Sequence, residues 1–201
     1  MNRISLIVGI LGFAVVGCTN GAQNGNTATN TTNTATNISA ENVATPNRKL
    51  QTIGVALGDL GNPFYNAVQK GAETEAQKLG GNIRVNAVSS GFDLNQQSNQ
   101  IENFTAANTD LIILSAVDKK GVKPVIDQAR LAGRVVIAVD SAVDADVDAM
   151  ISSNNTQAGE VACQYIADRL KGQGSVVILN GTPMDSINQR VSGCEKSLSK
   201  Y

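Results

Sequence analysis

The stretch "LQTIGVALGDLGNPFYNAVQKGAETEAQKLG", residues 50–80, decides the architecture. Its first part is a nearly unbroken apolar run and reads as a buried strand. Asn62-Pro63 then opens a helix, with an amide at the cap and proline at the first turn. Tyr65, Val68, Ala72, Ala76 and Leu79 fall on one helical face. Two of the chain's seven Phe and Tyr, Phe64 and Tyr65, stand side by side at this strand-to-helix junction, in a sequence with no Trp.

The same unit repeats outward. "NIRVNAVSS" reads as a second strand with a helix from 93 to 107. "DLIILSAV" is a third strand, and "KKGVKPVIDQARLAG" a helix ending at Gly133. "RVVIAVDSA" is a fourth strand and "AMISSN" a short fifth. "TQAGEVACQYIADRLKG" is a helix, "GSVVILNG" another strand, and "DSINQRVSGCEKSLSKY" a last helix. Strands alternating with helices imply an α/β fold, a parallel sheet covered on both faces by right-handed crossovers. In such sheets ligands sit beyond the carboxyl ends of the strands, where strand order reverses. For a flavodoxin-like order that point lies between the first and third strands. Phe64, Tyr65, Ser115, Asp140 and Ser141 all fall on this rim.

Before residue 49 the composition is of another kind. Residues 4–17, "ISLIVGILGFAVVG", form an uncharged apolar run behind Arg3, the length of a secretory signal and short for a membrane span. Gly17-Cys18 resembles a bacterial lipobox, which makes Cys18 the expected site of lipid attachment and residues 1–17 the signal. An ordinary signal peptide with an incidental cysteine is the alternative. Residues 18–48 are dominated by Asn, Thr, Ala and Gly, too poor in apolar surface to offset ordering, and are expected to be a disordered tether. The globular body begins at 49.

Catalysis finds little support. The chain has no His, hence not the commonest general base. It carries no phosphate-cradling loop and no dinucleotide fingerprint, so no cofactor is expected. Two separated cysteines without His give no zinc spacing. The aspartates Asp140, Asp144, Asp146 and Asp148 lack the Gly and terminal Glu of a calcium loop, so no metal is expected. A formal charge of −1 without a basic block argues against nucleic acid. What remains is a rim of flat aromatics with Asn62, Asp140, Asn154 and Arg190. Rings pack on the C–H face of a sugar while amide, carboxylate and guanidinium bond its hydroxyls, a binding site rather than an active site. The alternative for Phe64 is a core aromatic, and for Asp140 a turn cap. Cys163 and Cys194 are an even pair for an oxidising compartment, either bridged or two buried thiols.

Taken in order, "NPFYNAVQKGAETEAQKLG", "LIILSAVD", "VVIAVDSAV", "ISSNNTQAGEVACQYIA" and "VVILNGTPMDSINQRVSG" resemble the ribose/galactose-type periplasmic binding proteins of sugar ABC importers. The resemblance implies two α/β lobes that close on a sugar about hinge strands. It divides the body into a first lobe, 49–152, and a partial second lobe, 153–201, with a hinge near Ser152 to Thr156. It carries ring stacking and hydroxyl bonding onto Asn62, Phe64 and Tyr65, the hydroxyl-binding carboxylate onto Asp140, and the second-lobe guanidinium onto Arg190. Ser115 stands where the ribose pattern has Asn, and Ser141 where it has Arg. Loss of that rigid donor fork points to another monosaccharide or a polyol. Family members run well beyond position 201, so a C-terminal truncation is the expectation. The implied function is a lipid-anchored protein delivering sugar to an ABC permease. Alternatives are a ligand sensor feeding a chemoreceptor or kinase, and a non-functional remnant.

Overall fold

The computed structural model describes residues 49–80 and 82–201. Cys18 and the segments expected as signal and tether lie outside the described residues. Ten elements follow in order: β1 (Thr52–Leu57), α1 (Pro63–Leu79), β2 (Arg84–Ser89), α2 (Leu94–Ala106) and β3 (Leu111–Leu114) come first. They continue as α3 (Lys123–Leu131), β4 (Val135–Val139), β5 (Ala149–Ile151), α4 (Asn155–Arg169) and α5 (Asp185–Leu198). The strands form one parallel sheet in the order β2-β1-β3-β4-β5, with Ile53 opposite Leu111 and Leu111 opposite Val135.

The apolar runs alternate between two cores because successive strand residues face opposite ways. Ile53, Val55 and Leu57 pack with Tyr65 and Ala76 of α1 on one face. Ala56, Ile112, Leu114, Val136 and Ala138 pack against Ile101 and Phe104 of α2 and Ile126 of α3 on the other. Gly54 belongs to this second face, and the Phe104 ring lies 2.7 Å from where its Cβ would be, so no side chain fits there. Leu79 departs from the expected stripe: at the end of α1 it is 65% exposed.

Local chemistry sets the helix ends. Asn62 Oδ1 accepts the Phe64 N–H at 2.9 Å, and Pro63 occupies the first turn. Asp93 Oδ1 accepts the Gln96 N–H at 2.7 Å. Gly133, at φ 76, follows the end of α3 and donates its N–H to the Arg130 carbonyl. The aspartates after β4 have structural partners: Asp148 accepts the Val136 N–H at 2.8 Å, Arg130 is paired with Asp146 and Asp148, and Asp144 lies 3.6 Å from Lys119.

α4 and α5 cross at two glycines. A methyl added at Gly159 would fall 2.8 Å from the Arg190 carbonyl carbon, and one at Gly193 would fall 2.9 Å from that of Thr156. Beside the crossing, Cys163 and Cys194 form a disulfide with Cα atoms 5.0 Å apart, and Lys196 meets Glu160 at 2.7 Å. One expectation fails between these helices. The stretch 174–181, GSVVILNG, is not a strand. A strand requires a neighbouring ladder, and none of the five described strands borders it; Val177 and Leu179 stand 81% and 94% exposed.

Candidate functional site

Every strand of a parallel sheet delivers its carboxyl end to the same edge, and here a cleft of about 410 Å³ opens there. Asn62, Phe64 and Tyr65 reach it from the β1–α1 junction, Phe92 from the turn after β2, Asp140 from the end of β4, and Arg190 from α5. A larger hollow of about 540 Å³ lies at the opposite, amino end of β1 and β2. It has Lys49 and Arg84 but neither carboxylate nor aromatic ring, and it is remote from the switch point.

The two paired aromatics differ in role. Phe64 is 48% exposed and presents its ring to solvent at the rim. Tyr65 is only 4% exposed and belongs to the α1-side core. Its ring stands edge-on to Phe64 at 5.2 Å and tilted to Phe92 at 6.1 Å. Its hydroxyl donates to the Met184 sulfur at 3.6 Å, and burial pushes its pKa up. Tyr65 therefore backs the cleft as a wall, whereas Phe64 offers the open face.

Asp140 is the focal charge. It sits at φ 65, a left-handed conformation that Asp tolerates better than most side chains. Its Oδ2 accepts the Ser115 hydroxyl at 3.4 Å and the Ser186 hydroxyl at 3.5 Å. Burial raises its pKa, opposed by the Arg190 charge and then by the surrounding hydroxyls. Ser186 and Ser141 share a buried hydrogen bond of 2.9 Å, which seats the start of α5 on the end of β4. Arg190 is held by its Nε donating to Asn155 Oδ1 at 2.9 Å.

The sequence-predicted residues thus separate. Asn62, Phe64, Tyr65, Asp140 and Arg190 come together around the cleft. Ser115 and Ser141 are buried behind Asp140 rather than lining the opening. Asn154 is the N-cap of α4, its Oδ1 accepting the Gln157 N–H at 3.0 Å, and it does not line the cleft. Its neighbour Asn155, fully inside, orients Arg190 instead. Sequence reasoning missed Phe92, Met184 and Ser186. The rule that pointed to Phe64 applies equally to the end of β2 and would have found Phe92. Met184 and Ser186 carry no such signal, because α5 reaches the rim only through tertiary packing.

Carboxylate, amide and guanidinium groups beside an open aromatic face have the chemistry to receive a polyhydroxylated ring with one apolar side. Comparison with known proteins agrees in kind. A family model described as a periplasmic binding protein domain matches residues 53–201. The ribose import binding protein of Bacillus subtilis is 31% identical over 149 residues, spanning 73% of this chain and 48% of that protein. The xylitol-binding protein of Mycolicibacterium smegmatis is 28% identical over 158 residues, spanning 77% and 44%. Among solved structures, the fructose-binding periplasmic domain of a hybrid two-component system superposes with TM-score 0.67 at 27% identity, over 75% of this chain and 50% of that one. The chain spans about half the length of the curated relatives it matches.

Proposed function

This chain belongs to the periplasmic binding protein domain family, and from that premise we propose that it captures a monosaccharide or polyol at the rim cleft for an ABC importer, held at the membrane through lipid on Cys18. The observation that carries the reading is the exposed Phe64 face standing on the same cleft as Asp140 and Arg190. The ring covers the C–H side of a sugar, the carboxylate accepts from its hydroxyls, and the guanidinium donates to them. Asn62 keeps its amide N–H₂ for the ligand because its Oδ1 serves as the helix cap. Relatives named for ribose and xylitol support the ligand class, and bending between β5 and α4 would be the motion that a permease reads.

The test is calorimetry of the full chain against ribose, xylose, xylitol and matched hexoses. Saturable binding by at least one is expected, and Phe64→Ala should weaken it roughly fivefold to tenfold with the fold intact. A panel without binding overturns the assignment. Fatty-acid labelling that persists in Cys18→Ser would overturn the anchor separately.

A second reading has its own support. The same capture event feeds a kinase rather than a permease in a sensor, and the solved fructose-binding domain of a two-component system is a relative of that kind. Genes for a permease and ATPase beside this one favour import; a histidine kinase gene there favours sensing.

A further inference from the structure

Phe92 is the oddest residue on the cleft. Gly91 and Phe92 lie at φ 58 and 63, and the Asp93 N–H closes onto the Ser90 carbonyl at 3.0 Å. Two consecutive positive φ values under such a bond are the pattern of a type I′ turn, whose second central position ordinarily holds Gly or Asn. A bulky aromatic is strained there, and such strain concentrates at functional sites. The ring has also been given room: it occupies the space beside Gly58, where an added Cβ would meet its Cδ1 at 2.8 Å.

Among the described residues, the surroundings of the ring on the cleft are mostly apolar. Sheet order puts Phe92 over β2, at the far side of β1 from β4, which carries Asp140. Phe64, Tyr65, Met184 and Ile187 complete this apolar part of the lining. Among the described residues, several polar atoms close by are already engaged, the Asn62 amide N–H₂ excepted. The Met184 sulfur accepts from Tyr65, Asn62 Oδ1 from the Phe64 N–H, and the Gly58 carbonyl from the Phe92 N–H at 3.2 Å. A sugar hydroxyl turned against the Phe92 ring, away from the Asn62 amide, would lose its water without replacement.

Granted sugar binding at this cleft, we infer that Phe92 sets its specificity. The sugar presents its hydroxyl-rich edge to Asp140 and Arg190 and an alkyl end to the Phe92 ring. A 6-deoxyhexose is the class that fits, because its methyl fills the corner whereas a hydroxymethyl buries an unpaired hydroxyl there.

Two matched pairs, D-fucose with D-galactose and L-rhamnose with L-mannose, differ by a single hydroxyl and read this directly in calorimetry of the full chain. The deoxy member of whichever pair binds is expected to be tighter by about tenfold. Phe92→Tyr keeps the ring, the packing on Gly58 and the backbone strain but adds a hydrogen-bonding group, so the ratio should collapse toward one with melting temperature unchanged. Phe92→Asn suits the turn and should remain folded while losing the preference. Equal affinities within a pair, tighter binding of the hydroxylated sugar, binding of a pentose or xylitol with neither deoxyhexose, or a ratio retained in Phe92→Tyr overturns the role of Phe92 and leaves sugar binding standing. Failure of all sugars, including the pentoses and xylitol, overturns both.

Discussion

Gly159→Ala is a severe test of how α4 and α5 are joined. The added methyl would overlap the Arg190 carbonyl oxygen and lie 2.8 Å from its carbonyl carbon and 3.0 Å from its Cα. Ordinary non-bonded contacts are about 3.5–4.0 Å, so the helices must part by more than about 1 Å. The obstacle is backbone, and no rotamer change relieves it. Overpacking of this kind costs about 1–3 kcal/mol, and the nearby disulfide, which opposes separation, places this case toward the upper end. Replacing Gly by Ala inside a helix returns up to about 1 kcal/mol of propensity. The net is a loss of about 1–2 kcal/mol. With a urea slope of about 1–3 kcal/mol per molar, the midpoint followed by circular dichroism should fall by roughly 0.3–2 M. Gly71→Ala supplies the control: on α1 nothing lies within 4 Å of its added Cβ, so propensity acts alone and the midpoint should rise. If Gly159→Ala raised the midpoint as Gly71→Ala does, the close crossing would not exist.

Other outcomes follow from single contacts. Asp140→Asn suits the left-handed backbone but removes the charge, and sugar affinity should drop about tenfold to a hundredfold in calorimetry. The raised pKa of Asp140 also has a stability consequence. Between its ordinary value near ~3.9 and its raised one, the native state holds more protons than the unfolded state, so stability falls as pH rises through that window. Urea midpoints measured across that window should show wild type losing stability relative to Asp140→Asn as pH rises. Gln97 is fully buried, donating to the Ser115 carbonyl at 2.9 Å and accepting the Val117 N–H at 3.0 Å. Gln97→Leu leaves both groups unpaired and should cost about 2–3 kcal/mol in the same assay; an unchanged midpoint would refute the bridge. The disulfide closes a sequence separation of 31, worth up to about 3–4 kcal/mol, so the double change of Cys163 and Cys194 to Ser should lower the melting temperature. Ready alkylation of Cys163 and Cys194 before reduction would contradict it.

The parts of this molecule legible in its sequence are those in which local pattern and tertiary use coincide. β1 and β3 are buried on both faces and read as unbroken apolar runs, and Asn62-Pro63 marks the start of α1 through groups within two residues of each other. The parallel sheet follows from the alternation of strands and helices, and with the flavodoxin-like order comes the rim that holds Phe64 and Asp140. Legibility ends where an outcome depends on a distant neighbour. Residues 174–181 have the composition of a strand, yet hydrogen-bonded pairing is a property of two segments and not of one. Asn154 and Asn155 are chemically identical in sequence; the start of α4 makes one a cap and turns the other toward Arg190. Phe92 contradicts local turn preference outright, so only its place at the carboxyl end of β2, and no rule of turn chemistry, announces it.

The hydroxyl of Tyr65 and the sulfur of Met184 meet across 119 residues. β1 and β3 are tied by Thr52 and Asp110 across 58 residues, about half that separation, whereas the Tyr65–Met184 contact must await α5. The shorter route is the Ser141–Ser186 hydrogen bond, which spans 45 residues and brings Met184 in with it. Secondary structure should therefore mature ahead of binding competence during refolding. A sugar added at successive times would be captured only by chains that have docked α5, making the ligand a clock for the last step of folding.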